Sequence, residues 1–428
     1  MHYVIVGNSV AGVNCVEAIR IVDREGTITV VSDEDMVNYS RPLLSGFLGG
    51  KLTEDKLFFR DSDFYEKNKV NLLLSKRAER LSVSEQTVTL DDGTILPYDR
   101  LLISVGGLPI MPPIEGLEDE VKGVFTFLKW KEARALVGYI ERKEIKEAVV
   151  LGGGLIGLKV IEGLLERGLR VTVVELTDRI LANTFDDEAS SILEKQLAQH
   201  GCRVVKEDTI ERIRTRGGRI RRAILGNGEE ITTALLIIAA GVRPNLMLVE
   251  GTSIKTDRGI LVDRFMMTNI RDIYAAGDCA QGLNLLSGDD AVIAIWPVAA
   301  RQGRVAGLNM AGVQTQYSGL FPMNAVHILD IPTISFGTTN PVDGEGYEVL
   351  KRLDRERGFY KKIILKDGKV VGGILLNCVE RAGVYGMLIR EGIDVKDFKD
   401  QLLNDDFGFL VLPKEFRKHL VAGDGLVV

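Results

Sequence analysis

The sequence predicts an α/β fold made of two similar βαβ units and a C-terminal α+β domain, and three observations support this. The stretches "HYVIVGNSVAGVNCVEAIR" and "AVVLGGGLIGLKVIEGLLERG" each read as a buried strand, a glycine-rich turn and a helix. Each is followed by a second β-run, "TITVVSDED" in the first case and "LRVTVVELTD" in the second. Nearer the C-terminus, "YKKIILKDGKVVGGILLN" reads as two strands joined by a K-D-G turn, and "RAGVYGMLIREG" reads as a helix.

Length, composition and charge narrow the class of protein. A chain of 428 residues is long enough for two or three domains with a large core. Its 45% hydrophobic and 27% charged residues are ordinary for a globular protein, and a formal net charge of −6 does not suggest a nucleic-acid partner. The longest apolar runs, "ALLIIAAGV" and "AVIAIWPVAA", are shorter than the roughly 18 residues that a transmembrane helix needs.

The N-terminus and the cysteines indicate the compartment. The stretch "MHYVIVGNS" reads as a strand from its start, without the basic segment and cleavage site of a signal peptide. The four cysteines are scattered, with no C-x-x-C pair, which argues against a zinc or iron–sulfur site on this chain and against a secreted disulfide scaffold. We therefore expect a cytoplasmic protein with no membrane span and no metal site of its own.

The first βαβ unit carries an imperfect dinucleotide-binding loop. The loop runs from Gly7 to Gly12, with Ser9 at the middle glycine position, and serine is small enough to admit a phosphate. In such folds a carboxylate after the second strand reads a ribose. Asp33 is the best placed candidate and Glu34 the second, because Ser32 occupies the more usual acidic position. The alternative is a plain βα turn that binds no ligand.

The second βαβ unit has the complete glycine pattern. Gly152 makes the turn, Gly154 lets backbone amides approach a diphosphate, and Gly157 packs the helix against the strand. The diphosphate would lie at the helix N-terminus, where free N–H groups favour negative charge. Glu175 ends the next strand, with Leu176 rather than arginine after it, so NAD(H) is preferred to NADP(H). The candidate NAD(H) contacts are Gly152, Gly154, Leu155, Ile156, Gly157, Glu175 and Gly241.

The remaining stretches repeat the same layout. "TVTLDDGTILPYDRLLISVGG" reads as a hairpin with a D-G turn and then a buried strand, and "EITTALLIIAAGVRPN" repeats this after the second unit. "NIRDIYAAGDCA" is a third strand-to-turn signal, and "WPVAARQGRVAGLNMAG" starts a helix at Pro297. The predicted domains are a first dinucleotide-binding segment at 1–112, a second dinucleotide-binding domain at 113–242, a return to the first domain at 243–320 and an α+β domain at 321–428.

Together these motifs resemble the FAD-dependent pyridine nucleotide-disulfide oxidoreductases of the glutathione-reductase fold. The resemblance covers Met1 to about Gly312, and "YSRPLLSGFLGGK" and "GGILLNCVERAGVYGMLI" point to the NADH–rubredoxin reductase and nitrite-reductase flavin-module branch. It implies FAD on the first unit and NAD(H) on the second. The residues that would contact FAD are Gly7, Ser9, Val10, Ala11, Gly12, Asp33, Glu34, Arg41, Pro42, Ala78, Ser104, Val105, Gly106, Gly277, Asp278, Trp296 and Pro297.

The redox cysteines of that family are missing from the matching positions. The stretch "VNYSRPLLSGFLGG" contains none, and Cys15, Cys279 and Cys378 are expected to be small buried packing residues. The resemblance therefore implies no thiol relay, and disulfide or peroxide reduction is disfavoured. Instead, a flavin reduced by NADH would pass its electrons outward directly.

One lysine departs from the family pattern. Relatives commonly have a glutamate where this chain has Lys159, in the first turns of the helix after the second loop. Since a helix turns about 100° per residue, Lys159 points about 200° away from Gly157, toward the first domain. One hypothesis makes Lys159 a catalytic residue whose charge, near the flavin N5 edge, favours the electron-rich flavin. The alternative is an interdomain salt bridge with Glu162 or another carboxylate.

Two further stretches are candidates for partner docking. "ERIRTRGGRIRRAIL" carries six arginines between Arg212 and Arg222 and reads as a hairpin turned by its G-G pair. It is either a solvated meander or a surface that steers an acidic carrier protein. The tail "DDFGFLVLPKEFRKHLVAGDGLVV" is amphipathic, and is either a docking element or ordinary packing.

The sequence and its resemblance lead to one main hypothesis. The chain is predicted to be an FAD-dependent NAD(H) oxidoreductase that exchanges electrons between NADH and a one-electron iron–sulfur acceptor. That acceptor is a rubredoxin- or ferredoxin-type protein or the Fe–S subunit of a larger complex, and homo- or hetero-oligomers would form through the C-terminal domain. The alternatives are an NADH oxidase or diaphorase using oxygen or quinone, and a non-catalytic flavoprotein subunit, which the intact second loop with Glu175 argues against.

Overall fold

The computed structural model describes residues 1–118, 120–408 and 411–412. These residues form two compact units. The larger unit contains Met1–Asp178 and His200–Leu320, and the smaller unit contains the described residues of Arg179–Gln199 and Phe321–Val428. Most of the predicted C-terminal tail beyond Gly408 lies outside the described residues, so its role stays a prediction.

The larger unit holds most of the strands. In chain order they are β1 (His2–Val6), β2 (Thr27–Val31), β3 (Val70–Leu73), β4 (Ala78–Ser82), β5 (Thr87–Leu90), β6 (Ile95–Pro97), β7 (Arg100–Ile103), β8 (Gly107–Pro109), β9 (Val124–Thr126), β10 (Glu147–Leu151), β11 (Arg170–Val174), β12 (Arg203–Val205), β13 (Ile210–Arg216), β14 (Arg219–Leu225), β15 (Glu230–Thr232), β16 (Leu236–Ile238), β17 (Val242–Pro244), β18 (Ile260–Leu261), β19 (Ile273–Ala275), β20 (Ala280–Leu283) and β21 (Asp290–Ala291). The smaller unit continues with β22 (Met323–Ile328), β23 (Ile331–Gly337), β24 (Tyr347–Asp354), β25 (Phe359–Lys366) and β26 (Lys369–Leu376).

The helices alternate with the strands in the first two-thirds of the chain. They are α1 (Val10–Val22), α2 (Leu44–Leu48), α3 (Phe64–Lys67), α4 (Trp130–Lys143), α5 (Leu155–Glu166), α6 (Asp187–Gln199), α7 (Trp296–Met310) and α8 (Ala382–Arg390). Short 3₁₀ helices span Arg41–Leu43, Glu54–Lys56 and Lys399–Gln401. Among the described residues, no helix has both the length and the apolar character that crossing a membrane requires.

Two parallel sheets organise the larger unit. The first has the order β19-β7-β1-β2-β3 and the second the order β12-β11-β10-β16-β9. In both, the first strand of the βαβ unit lies in the middle, with the glycine loop at its carboxyl end. Open α/β sheets bind ligands at the carboxyl ends of their strands, so both loops lie at the edge where a dinucleotide is expected.

The antiparallel parts also follow the sequence patterns. β5 and β6 pair across the D-G turn, and β13 and β14 pair across Gly217 and Gly218, which have φ of +62° and +69°. Two consecutive residues with positive φ suit the type I′ turns of tight hairpins, a conformation that glycine adopts without strain. The antiparallel pair β8–β17 comes directly after the two buried strands β7 and β16.

The smaller unit is built on an antiparallel sheet in the order β22-β23-β26-β25-β24, with α8 against β26. An aromatic stack closes one side of it. The rings of Phe336 and Tyr385 stack with centroids 5.8 Å apart, and those of Tyr385 and Phe407 with centroids 5.5 Å apart. The predicted fold class, two Rossmann-like parts and a C-terminal α+β part, is thus confirmed.

The two compact units do not follow the predicted domains throughout, since the larger unit contains 1–112, 243–320 and most of 113–242. Arg179–Gln199, inside the predicted 113–242 domain, belongs to the same compact unit as the C-terminal strands. The reason is a polar cluster around Asp186, whose Oδ2 accepts hydrogen bonds from the Lys362 Nζ (2.8 Å) and the Tyr360 hydroxyl (2.6 Å). The predicted boundary at 320/321 coincides with a boundary between the units, while those at 112/113 and 242/243 remain predictions.

Candidate functional site

The first loop is built so that a helix begins directly behind a buried strand. Gly7 follows β1 with φ of +117°, and any Cβ there would overlap the carbonyl oxygen of Ser104. A Cβ at Gly12 would overlap the carbonyl oxygen of Gly7 in the same way. The Ser104 hydroxyl donates to the carbonyl oxygen of Val6 at 3.0 Å and so ties β7 to the loop.

A cavity of about 470 Å³ opens beside this loop. It brings together many of the residues predicted to contact FAD, which come from the loops after β1, β2 and β7, from the 3₁₀ helix at Arg41 and from the start of β4. The predicted residues that line it are Gly7, Ser9, Asp33, Glu34, Arg41, Ala78, Ser104 and Val105. The other predicted FAD contacts lie outside its lining; they are Val10, Ala11, Gly12, Pro42, Gly106, Gly277, Asp278, Trp296 and Pro297.

The polar groups of the cavity suit a phosphate-bearing cofactor. The Nε of Arg41 and the Nδ2 of Asn8 are buried and have no hydrogen-bond partner among the described residues. The Arg41 guanidinium lies 3.7 Å from a carboxylate oxygen of Glu34, and although burial alone would lower its pKa, the nearby Tyr39, Glu34 and Asp278 raise it. Buried donors without acceptors are costly, so this set fits the anionic diphosphate of FAD.

The two acidic residues after β2 have different surroundings. Glu34 is buried, and its carboxylate accepts hydrogen bonds from the Tyr39 hydroxyl (2.8 Å) and the Trp130 backbone N–H (3.1 Å). Asp33 accepts from the Lys129 Nζ at 2.5 Å, and this bond lowers the Asp33 pKa despite burial, which raises it. Both carboxylates therefore have partners within the chain, and the assignment of Asp33 to the adenosine ribose stays a prediction.

Lys129 and Asn8 are site residues that sequence reasoning missed. Lys129 lies 96 residues from Asp33 along the chain, just before α4, so no local pattern connects the two. Asn8 lies inside the glycine loop, where the fingerprint assigns no role to a side chain. Its position between Gly7 and Ser9 was the one signal that could have identified it.

The flavin-side candidates gather around the end of β19 and the start of α7. Burial raises the pKa of the Asp278 carboxyl, and the Arg41 guanidinium opposes that rise. Trp296 packs edge-on against Phe59, with ring centroids 5.1 Å apart, and Pro297 occupies the first turn of α7. The first turn of α7 contains no acidic residue. The positive end of the helix dipole therefore favours a negative charge nearby.

The second loop begins with a glycine of similar φ, but its next two residues are glycines without side chains. Gly152 has φ of +110°, and a Cβ at Gly157 would overlap the carbonyl oxygen of Gly152. A Cβ at Gly154 would meet no atom within 4 Å, so open space lies in front of the helix N-terminus. The Glu175 carboxylate accepts hydrogen bonds from the backbone N–H groups of Gly153 (2.6 Å) and Thr177 (2.8 Å), which places it at the mouth of the loop.

Lys159 lies on the face of α5 that turns toward α2. Four residues further along that face, a Cβ on Gly163 would lie 2.9 Å from the Ser45 carbonyl oxygen. Glu166, one turn later, pairs with Lys51 at 2.6 Å. Lys159 itself forms an ion pair with Glu162 of the same helix. Glu162 is the partner that the alternative hypothesis named, although it lies on the same helix as Lys159, and a role of the Lys159 charge at the flavin stays a prediction.

The cysteines do not provide a thiol relay among the described residues. All four are buried and free of disulfides. Burial raises the pKa of the Cys279 thiol to about 12 and that of Cys378 to about 11, and it also raises the pKa of Cys15. Thiols with such pKa values stay protonated at neutral pH and are poor nucleophiles.

Three of the six arginines of the hairpin form ion pairs with two neighbouring carboxylates, Glu115 and Glu230. Arg222 pairs with Glu230 at 2.5 Å, Arg214 pairs with Glu230 at 3.2 Å, and Arg212 pairs with Glu115 at 2.7 Å. These exposed pairs reduce the positive potential of the β13–β14 surface. The choice between a solvated meander and a carrier-docking surface stays a prediction.

Two parallel sheets, each ending in a glycine loop with a carboxylate at its mouth, define a flavoprotein oxidoreductase that uses two dinucleotides. The chain belongs to the pyridine nucleotide-disulphide oxidoreductase family, whose model matches residues 1–303. A second model, described as the rubredoxin NAD+ reductase C-terminal domain, matches residues 322–393. The predicted family is thus confirmed, and with it the binding of FAD and NAD(H).

The chain is similar to several characterised proteins. It is 33% identical to the NADH-dependent phenylglyoxylate dehydrogenase subunit epsilon of Aromatoleum evansii, over 94% of each chain. It is 31% identical to the nitrite reductase [NAD(P)H] of Bacillus subtilis, covering 92% of this chain and 48% of the relative. Among solved structures, an NAD-dependent persulfide reductase from A. fulgidus has a TM-score of 0.86 and 28% identity, covering 94% of this chain and 79% of the other.

Proposed function

We propose that this protein oxidises NADH through its bound FAD and delivers the electrons one at a time to an iron–sulfur centre on another protein. The observation that carries this proposal is the pairing of a complete NAD(H) loop with buried, protonated thiols. A hydride donor has a place to bind, while the described residues offer no thiolate to receive the electrons. The electrons therefore leave through the flavin itself.

The bound FAD supplies the conversion of a two-electron donor into single electrons. The residues of the chain bind and orient. Asp33 and Arg41 would contact the adenosine and diphosphate end, and the first turn of α7 would offer its backbone N–H groups to the ring end. Pro297 has no N–H of its own and holds the backbone in the helical conformation at this start. Glu175 accepts the ribose hydroxyls of NADH and disfavours the 2′-phosphate of NADPH.

The nature of the partner is supported by what the chain resembles. The C-terminal family is described from a rubredoxin reductase, and rubredoxin is a one-electron iron carrier. One relative of matching length is a subunit of a larger dehydrogenase. We therefore propose that the protein is either the NADH-oxidising flavin subunit of a multisubunit redox enzyme or the reductase of a small iron–sulfur carrier. We propose the cytoplasm as its compartment, because its four cysteines form no disulfide and would stay reduced there. Contacts through the C-terminal domain would join it to its partner.

The test compares electron acceptors. The purified holoprotein is supplied with NADH and with equal concentrations of rubredoxin, ferredoxin, oxygen or a quinone, and the rate of NADH oxidation is measured. We expect an iron–sulfur or rubredoxin acceptor to be reduced faster than oxygen or quinone by at least tenfold. Equal or faster oxidation by oxygen would identify an oxidase instead. Isolation from the source organism, followed by identification of the proteins that co-elute, then names the partner.

A further inference from the structure

We propose that the first loop holds FAD through two side chains, Asn8 and Ser9, as well as through its backbone, and that Tyr65 sets the direction of the Asn8 amide. The proposal rests on the proposed function, in which FAD is the resident flavin of the first sheet. Ser9 is already an expected FAD contact by position; the proposal adds its hydroxyl, the Asn8 amide and the orienting Tyr65, none of which the glycine fingerprint contains.

The second loop of the same chain serves as an internal reference. The first glycine of each loop has nearly the same φ, +117° at Gly7 and +110° at Gly152. In each loop the last glycine lies so close to the first that a Cβ there would overlap its carbonyl oxygen. At the two positions after the first glycine the loops differ, because one has Asn8 and Ser9 and the other has Gly153-Gly154. The backbones match, and polar side chains appear in the first loop alone.

Tyr65 fixes which end of the Asn8 amide faces the cavity. The backbone N–H of Asn38 donates to the Tyr65 hydroxyl oxygen at 3.4 Å, and the hydroxyl in turn donates to Asn8 Oδ1 at 2.6 Å. With Oδ1 engaged, the Nδ2 group is the free end of the amide. It is buried, has no hydrogen-bond partner among the described residues, and belongs to a residue that lines the cavity.

The Ser9 side chain is also placed to bind a ligand. It is the N-cap of α1, a position where a serine hydroxyl usually bonds to the first turn of its helix, yet its side chain makes no such capping bond. Ser9 lines the same cavity, and the first turn of α1 carries no acidic residue. Its hydroxyl and the α1 N-terminus are both suited to a phosphate oxygen.

The contrast between the loops matches the different tasks of the two nucleotides. A cofactor that stays bound gains from hydrogen bonds between side chains and its charged diphosphate, because such bonds are stronger than neutral ones. NADH binds and leaves in every cycle, and a loop that offers backbone N–H groups alone releases it more readily. The side chains of the first loop thus separate a resident dinucleotide from an exchanging one.

The first test measures FAD affinity in the apoprotein, followed by the quenching of flavin fluorescence. Asn8→Ala and Ser9→Ala should each raise the FAD dissociation constant about tenfold, as expected for the loss of one hydrogen bond to a charged group. NADH binding to the FAD-loaded variants should stay at the wild-type level. Gly153→Asn, which brings an asparagine into the second loop, is the matched control and should leave FAD affinity unchanged.

The second test separates positioning by Tyr65 from general packing. Tyr65→Phe should weaken FAD binding several-fold in the wild-type background and have little effect in the Asn8→Ala background, since it acts through Asn8. Equal losses in both backgrounds would overturn the positioning role. Wild-type FAD affinity in Asn8→Ala and Ser9→Ala would overturn the whole proposal.

A second variant at Asn8, with a side chain of the same size, covers the case in which Asn8→Ala does not fold. Should Asn8→Ala fail to fold, Asn8→Asp replaces the amide donors by a negative charge and should weaken FAD binding even more, while wild-type affinity would overturn the proposal. The FAD titrations, on which the proposal is decided, use neither NADH nor an electron acceptor. Their failure therefore leaves the electron-transfer proposal untouched, and failure of the acceptor comparison leaves the FAD measurements valid.

Discussion

Nucleotide selectivity is the property that depends most on a single residue, Glu175. Its carboxylate lies at the mouth of the second loop, where it accepts the Gly153 and Thr177 N–H groups. We expect Glu175→Ala to lower kcat/KM for NADH about tenfold and to reduce the preference over NADPH, because the ribose loses its acceptor and the 2′-phosphate loses its repulsion. Steady-state kinetics with both nucleotides provide the measurement.

The neighbouring Leu176 supplies the control for this experiment. Its side chain is 68% exposed, so Leu176→Ala changes the same turn without removing a polar contact. Wild-type selectivity is expected for this variant. If Glu175→Ala kept the full preference for NADH, the ribose would have to be read by other residues.

The charge of Lys159 gives a second test at the residue scale. Lys159 pairs with Glu162 on the face of α5 that turns toward α2. If its charge acts on the flavin, Lys159→Glu lowers the midpoint potential of the flavin by tens of millivolts and Lys159→Met slows flavin reduction by NADH. Redox titration and rapid mixing measure the two effects.

Lys51 is the control for Lys159, because it pairs with Glu166 further along the same helix face. Lys51→Met should leave both the potential and the reduction rate unchanged. Should both Lys159 variants also behave like the wild type, the lysine has a structural role only.

At the residue scale, the sequence predicted the features that depend on local pattern. The two glycine loops and the position of Glu175 beside the second loop follow from the spacing after a strand, while the assignment of Asp33 to a ribose stays a prediction. The sequence could not show that Lys129 pairs with Asp33 or that Tyr65 orients Asn8, because these contacts join distant segments. The side-chain contacts of the cavity come from tertiary packing, which no single motif contains.

At the scale of elements, Gly154, which caps the N-terminus of α5, and Gly157, in its first turn, have different roles. A Cβ at Gly157 would overlap the Gly152 carbonyl oxygen, whereas a Cβ at Gly154 would lie in open space in front of the helix N-terminus. We expect Gly157→Ala to destabilise the protein by about 1–3 kcal/mol through overpacking. Gly154→Ala should fold normally and raise the KM for NADH, because its methyl group occupies the space of the diphosphate.

Thermal unfolding and NADH kinetics together separate the two variants. A stable Gly157→Ala variant would contradict the close strand–helix contact. An unchanged KM in Gly154→Ala would contradict the placement of NADH at this helix.

An ion pair between the buried Lys362 and Asp186 links two elements of the smaller unit. Lys362 is 5% exposed and donates to Asp186 Oδ2, which ties the start of α6 to β25. Lys362→Met leaves the carboxylate without its cation and should destabilise the protein by about 3–5 kcal/mol. Lys67→Met, which removes an exposed pair with Asp63, should cost less than about 1 kcal/mol. Chemical denaturation measures both.

The same pair predicts a pH dependence. Burial raises the pKa of Asp186, but the hydrogen bonds from Lys362 and Tyr360 outweigh it and hold the pKa below its usual range. A carboxyl with a lowered pKa stabilises the fold above its unfolded pKa of about 4, and this contribution is lost as the pH falls through the folded pKa. Asp186→Asn should therefore unfold with a weaker dependence on pH below about 4, and an unchanged slope would contradict this.

The elements themselves were predictable where hydrophobic period and turn residues agree. The two βαβ units, the D-G and G-G hairpins and the α7 start at Pro297 all follow the sequence. The grouping of Arg179–Gln199 with the C-terminal strands could not be predicted from the sequence. It involves contacts of Asp186 with Tyr360 and Lys362, which lie about 175 residues away along the chain.

At the scale of the whole molecule, the account makes the protein a converter between NADH and one-electron carriers. The larger unit supplies both dinucleotide sites, and the described thiols are buried and protonated. The C-terminal domain is similar to that of rubredoxin reductases. With both dinucleotide sites present and no thiolate among the described cysteines, the electrons of NADH leave the protein directly from the flavin.

The most direct test follows the flavin absorbance in an anaerobic double-mixing stopped-flow experiment. NADH is mixed first with the FAD-loaded protein, and the reduced protein is then mixed with an oxidised rubredoxin or ferredoxin, or with oxygen in a parallel run. The account predicts rapid bleaching by NADH and reoxidation by the iron–sulfur or rubredoxin carrier at least tenfold faster than by oxygen. Absence of bleaching, or reoxidation by oxygen alone, would contradict it.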